Sequence, residues 1–203
     1  NYGMVNGTTG DANVGNALTD NDLLNGVAVD PTLVTTTIDM AATPINGGPV
    51  PALDVATGVV SVPPGTPAGS YTIAYTICEN LNPTNCDPAT ITVMVDPPAI
   101  VAEDDNYGMV NGTTGDANVG NALLENDLLN GMMVNLADIT ATVTTPATPV
   151  FTGASVPVLD VMTGIVSVPP GTPAGIYTIN YSICEDLNPT NCDDAVITVT
   201  IPQ

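Results

Sequence analysis

The chain has 203 residues with no Lys, Arg or His against 21 Asp and Glu, a formal charge of −21, so it cannot neutralise phosphates. Nucleic acid and anionic membrane surfaces are thereby excluded as ordinary partners, and with His and Lys go imidazole metal sites, Ser-His and Cys-His nucleophiles, Schiff bases and Lys–Asn cross-links. The charged fraction is only 10% and 44% of residues are apolar, mostly Val, Ile, Leu and Ala beside abundant Thr, which predicts a folded all-β chain.

Internal repetition organises everything else. Residues 1–26 recur at 106–131 with two changes, Thr19 to Leu124 and Asp20 to Glu125, and residues 61–87 recur at 167–193. A unit of about 100 residues is the ordinary size of a small domain. The expectation is therefore two domains, 1–97 and 106–203, joined by an acidic, Pro-rich linker over 98–105. Asn1 aligns with Asn106, so the first copy has no counterpart of the Glu103-Asp104-Asp105 run. This register suggests an excerpt from a longer tandem array.

In chain order, the first copy opens on Asn6-Gly-Thr, repeated as Asn111-Gly-Thr, a glycosylation acceptor pattern that is equally an ordinary turn. Asp11-Ala-Asn-Val-Gly-Asn16 and Asp20-Asn-Asp22 follow, copied as 116–121 and 125–127. Leu33–Ile38, Val50–Asp54 and Val59–Val62 read as strands. A Pro-Pro-Gly-Thr-Pro-Ala-Gly corner then leads into Tyr71–Cys78, where Tyr71, Ile73, Tyr75 and Ile77 share one face. Tyr71, like its copy Tyr177, is either a corner tyrosine bonded back to that loop or an ordinary half-buried ring. Thr90–Val95 alternates as well and completes a final hairpin. About seven short strands per copy, with no helical stretch, predict two tandem immunoglobulin-like β-sandwich domains, all-β throughout.

Cys78 and Cys86 flank the turn of that hairpin, as do Cys184 and Cys192 in the second copy, with an Asn-Pro turn signal between. Opposed positions at a hairpin neck reach disulfide geometry, whereas a zinc site would need thiolates from two separate domains. One local bridge per copy is expected, each contributing roughly 2–3 kcal/mol in the chain-entropy model. Such bridges imply an oxidising, extracellular compartment.

Most carboxylates need only water, but two groups stand apart. Glu103, Asp104 and Asp105 repel one another at the junction unless a cation sits there, and an oxygen-only set with Asn nearby suits Ca²⁺. Asn21 and Asp22, with their copies Asn126 and Asp127, either supply oxygens to such a site or simply end a strand in a turn.

Ala102-Glu-Asp-Asp-Asn-Tyr107, Gly120-Asn-Ala-Leu-Leu-Glu-Asn-Asp127, Gly171-Thr-Pro-Ala-Gly-Ile-Tyr-Thr178 and the Cys184–Cys192 hairpin resemble bacterial immunoglobulin-like and cadherin-like repeats of large surface proteins. The likeness extends to repeat-rich adhesins of Bacteroidota, including those of gliding motility, and covers nearly the whole chain. It implies an exported stalk or fibre at the bacterial cell surface, stiffened by Ca²⁺. Its partners would be neighbouring repeats, with lateral or end-to-end assembly through edge strands a further option. A glycan-binding adhesion module is the alternative, for which Tyr2 and Tyr107 are the only tyrosines left off predicted core faces. An enzyme is not expected, because near-duplicate domains offer no shared cleft with a carboxylate pair. The seven methionines have no place in this reading.

Overall fold

The computed structural model describes all 203 residues. It is all-β apart from single turns of helix, and it divides into two compact units, Asn1–Pro98 and Ala99–Gln203. Each unit encloses its own core.

The first unit runs β1 (Tyr2–Asn6), β2 (Asp11–Asn16), α1 (Ala17–Asp20), β3 (Leu23–Leu24), β4 (Val27–Ala28), a 3-10 turn (Pro31–Leu33), β5 (Val34–Met40), β6 (Ala52–Leu53), β7 (Val59–Val62), β8 (Gly69–Glu79) and β9 (Cys86–Asp96). One sheet has the order β1-β9-β8-β5 and the other β2-β7-β6, with β3-β4 as a separate hairpin. The two long strands alternate as their sequences demand. Tyr71, Ile73 and Tyr75 on β8 and Ile91, Val93 and Val95 on β9 are buried, facing Val60 and Val62 of β7 within one core.

Three local details depart from the sequence reading. A one-turn helix exists at Ala17–Asp20, because the Asn16 side chain caps it, accepting from the backbone N–H groups of Leu18 (3.1 Å) and Thr19 (3.0 Å). Fully buried Leu18 then anchors the turn to the core. The strand expected over Val50–Asp54 shrinks to Ala52–Leu53, since Pro49 and Pro51 have no N–H to give a ladder. A hairpin not foreseen, β3-β4, turns on Asn25-Gly26, both at positive φ (54° and 80°), the type I′ geometry that Asn-Gly favours.

The second unit contains β10 (Ile100–Val101), β11 (Asp105–Met109), β12 (Asp116–Asn121), β13 (Leu128–Leu129), β14 (Met132–Met133), β15 (Ile139–Thr145), β16 (Val158–Leu159), β17 (Ile165–Val168), β18 (Gly175–Glu185) and β19 (Cys192–Ile201). Its sheets are β11-β19-β18-β15, β12-β17-β16 and β10-β13-β14. Residues 99–105, read from composition as most of a linker, are instead built into this unit. Ile100 and Val101 pair antiparallel with Leu129 and Leu128, and Ile100 and Ala102 pack against the core. Apolar side chains within the acidic run supply the reason, since they gain more from burial than a free connector would give.

The two tyrosine corners and the two disulfides lock the long hairpins. Tyr71 donates to the Pro67 carbonyl at 2.7 Å and Tyr177 to the Pro173 carbonyl at 2.8 Å, with both rings buried. Cys78 faces Cys86 and Cys184 faces Cys192 directly across the strands, bonded, with Cα atoms 4.1 Å apart in each pair.

Candidate functional site

The second unit gathers oxygen atoms at one place. Asp105 opens β11 beside Ile197 of β19, and Asp127 stands just ahead of β13. Tyr181 reaches them from the middle of β18, opposite Ala195. The carboxylates of Asp105 and Asp127 are buried, as is the tyrosine. The Tyr181 hydroxyl lies 3.1 and 3.2 Å from the two Asp127 carboxylate oxygens and 3.4 Å from Asp105 Oδ2. The carbonyl oxygens of Glu103 and Ala122 are each 3.3 Å away. That hydroxyl has one proton to donate, and several acceptors compete for it.

The surroundings add more acceptors and few donors. Asp127 Oδ1 accepts from the Glu103 N–H at 2.9 Å, and Asn126 Nδ2 approaches the Glu103 carbonyl at 3.5 Å. Asn126 Oδ1 is buried with no hydrogen-bond partner. Tyr107 places its hydroxyl 3.4 Å from both Asp105 Oδ1 and Glu125 Oε2. Its ring can lie there because residue 120 is glycine; any β-carbon at that position would strike it. Asp193 accepts from the Ala102 N–H at 2.9 Å and thereby fastens the segment to β19.

Burial of anions without cations leaves an electrostatic mark. Desolvation pushes Asp105 and Asp127 up from the ordinary 3.8 to about 6. Hydrogen bonds from Tyr181 and Asn126 to Asp105, and from the Glu103 N–H and Tyr181 to Asp127, offset only part of that rise. Tyr181 itself is driven far above the usual phenol range, by burial first and then by the two carboxylates.

The seven acidic and amide residues singled out from sequence do not form one cluster. Asp105, Asn126 and Asp127 come together. Glu103 joins them through its backbone, while its side chain is exposed. Asp104 turns aside, and its Oδ1 accepts from the Val196 N–H at 2.8 Å, which staples the segment to β19. Asn21 and Asp22 belong to the first unit. There Asn21 ends α1 in solvent, and Asp22 accepts from the Tyr75 hydroxyl at 2.7 Å, the counterpart of the Tyr181–Asp127 contact. Asp20 likewise takes the place of Glu125, accepting from Tyr2 at 3.1 Å.

As a cation site the cluster is right in kind and partial in number, and the Tyr181 hydroxyl stands at its centre. Two carboxylates and two carbonyls make an oxygen-only donor set suited to a hard divalent ion, which the Asn126 amide, now turned nitrogen-inward, would join by turning over, with water completing the six to eight ligands that Ca²⁺ takes. No three carboxylates converge into a ready-made metal cage. Elsewhere, a concavity of about 580 Å³ around Asn111, Thr113, Pro173 and Ile201 has no Asp or Glu in its lining. The matched grooves beside Pro64 and Pro170 have one each, Asp11 and Asp116. No helix is long and apolar enough to cross a membrane.

No family model matches the chain, and no curated protein matches it. Among solved structures, it is similar to the extracellular cadherin domains 3-6 of Protocadherin Gamma B2, at 10% identity and a TM-score of 0.39, covering 87% of this chain and 44% of that one. It is similar to human Protocadherin-24 EC1-2 at 12% identity and a TM-score of 0.38, covering 87% of each. A SusE-like, surface located polysaccharide binding protein from the Bacteroides thetaiotaomicron heparin utilisation locus is also similar. There the identity is 13% and the TM-score 0.35, over 98% of this chain and 32% of that one. The chain thus spans less than half the length of the first and last of these. They are likenesses of fold.

Proposed function

We propose that the chain is a pair of structural repeats from an extracellular surface protein, and that the pocket around Asp105 and Asp127 holds Ca²⁺. The carrying observation is the crowd of buried oxygens around one hydroxyl proton, in a chain without a single basic side chain. A cation there would be bound by the Asp105 and Asp127 carboxylates and the Glu103 and Ala122 carbonyls, and by Asn126 Oδ1 once that amide turns over. It would neutralise the buried anions and tie residues 103–105 to the body of the second unit. Repeated along an array, that tie would shorten the free segment that leads into each repeat. The two local disulfides support an oxidising, extracellular setting, and the internal duplication supports neighbouring repeats as the natural partners. The reading is of a mechanical module, not an enzyme. A glycan-binding role would need a broad aromatic platform, whereas Phe151 is the one exposed ring.

The test is a Ca²⁺ titration of the full chain with EDTA as control, following calorimetry and small-angle scattering together. Saturable stabilisation at roughly 0.1–1 mM, the range of weak extracellular sites, is expected. It should come with a narrower distribution of particle lengths, and Asp127→Asn and Asp105→Asn should abolish both effects. If Ca²⁺ at ten times that level leaves wild type and variants unchanged, the cation reading is wrong and the pocket is only a buried hydrogen-bond cluster.

A further inference from the structure

The methionines that no other reading absorbs share one property. All seven lie on the surface: Met4, Met40, Met94, Met109, Met132, Met133 and Met162 are between 46% and 85% exposed. Neither core contains one; both are built from Val, Ile, Leu, Ala and Tyr. That is the reverse of the usual habit, since methionine is among the residues most often fully buried and commonly fills irregular gaps in cores. The rest of the composition sharpens the point. There is no Trp, no His and no free cysteine, because all four cysteines are in disulfides. The thioethers are therefore the side chains that two-electron oxidants reach first, and every one of them faces water.

We propose that the surface methionines are sacrificial oxidation sites, which let the chain consume hydroperoxides or hypohalous acids without unfolding. In each event the thioether sulfur gives an electron pair to the oxidant and gains one oxygen atom. With a hydroperoxide the O–O bond breaks and water or an alcohol leaves. With hypochlorous acid the products are chloride and a proton. The sulfur is oxidised by two electrons to the sulfoxide and the oxidant is reduced by two. The added oxygen is polar, and buried it would disrupt packing. Here it is added to groups already in solvent, so the β-sandwiches have nothing to lose. The groups shielded would be the two disulfides, where Cys86 and Cys192 are exposed, and after them the half-buried phenols Tyr2 and Tyr107; the other four tyrosines are buried.

Two experiments on the full chain test this. Excess hydrogen peroxide should add seven oxygen atoms to the folded protein, each mapped by peptide mass spectrometry to a methionine. The rates should lie within about threefold of those measured in denaturant, with the melting transition unchanged. A methionine that reacts only after unfolding, or a lowered transition once all are oxidised, overturns the proposal. In the second experiment hypochlorous acid is added up to one equivalent per methionine. Wild type should show sulfoxides with intact disulfides and no chlorotyrosine, whereas a variant with Met→Leu at all seven positions should be oxidised at its disulfides and, as these are consumed, chlorinated at Tyr2 and Tyr107. Equal disulfide oxidation in both overturns it, and the peroxide map decides the matter independently if the variant folds poorly.

Discussion

At the scale of single residues, Tyr181 and Asp127 carry the argument about the site, and their titration can be read without any metal. Asp105 and Asp127 have folded pKa values near 6, raised from 3.8 by burial. A raised carboxyl favours the fold in its protonated form, so the stability it lends is complete below about pH 4 and is lost as pH rises through 6. In EDTA the second unit should therefore melt at a higher temperature at pH 5 than at pH 7.5. Asp127→Asn should flatten that dependence and raise the transition at pH 7.5. Its Oδ1 can still accept the Glu103 N–H, and its amide gives the crowded carbonyls a donor. Calorimetry at the two pH values checks both statements, and a wild-type transition that rises with pH would contradict the first. The sequence made Asp105 visible because like charges without counter-ions are conspicuous, whereas Asn126 and Asp127 stood out as a repeated Asn-Asp pair that reads equally well as a strand-ending turn. Tyr181 stayed hidden, because its alternation marks it as a core residue and nothing in a one-dimensional pattern says where a hydroxyl ends. The corner tyrosines were legible to the extent of two alternatives. Tyr71→Phe, which strands the buried Pro67 carbonyl contact, should cost about 1 kcal/mol, measured by denaturant unfolding.

Among the elements, the long hairpins β8-β9 and β18-β19 were the most legible, because strict alternation over many residues leaves no competing register. Their cysteines sit opposite each other, so Cys78→Ser with Cys86→Ser should remove roughly 2–3 kcal/mol from the first unit alone. Two separate unfolding transitions, only one of them shifted, would be the signature. Short elements were harder to see. β6 loses residues to its flanking prolines, and α1 depends on one asparagine cap that reads equally well as a loop residue. The Asn-Gly pairs at 25–26 and 130–131 did carry a recognisable hairpin signal. Flanked by only two leucines each, they lacked the alternating run that would have called attention to them. The stretch 98–105 looked like a linker because its prolines and acids dominate a composition count. Ile100, Val101 and Ala102 decide its structure, and the backbone follows them onto the second unit.

For the molecule as a whole, charge sets two separable effects. With −21 and no cations, every carboxylate raises the energy of the compact state by long-range repulsion, which monovalent salt screens over a distance of about 10 Å at 0.1 M. Sodium chloride should therefore stabilise both units, in rough proportion to their acidic residues, and should do so without saturation at millimolar concentration. Calcium at constant ionic strength is a different lever. The first unit keeps Asp22 and Tyr75 but not the second buried carboxylate that makes the pocket. In calorimetry at fixed ionic strength, millimolar Ca²⁺ should thus raise the transition of the second unit and leave that of the first where it was. The disulfide variant, which lowers the first transition, identifies which is which. Equal movement of both transitions would mean that calcium acts as a diffuse counter-ion and that the crowd of oxygens around Tyr181 has no selective guest.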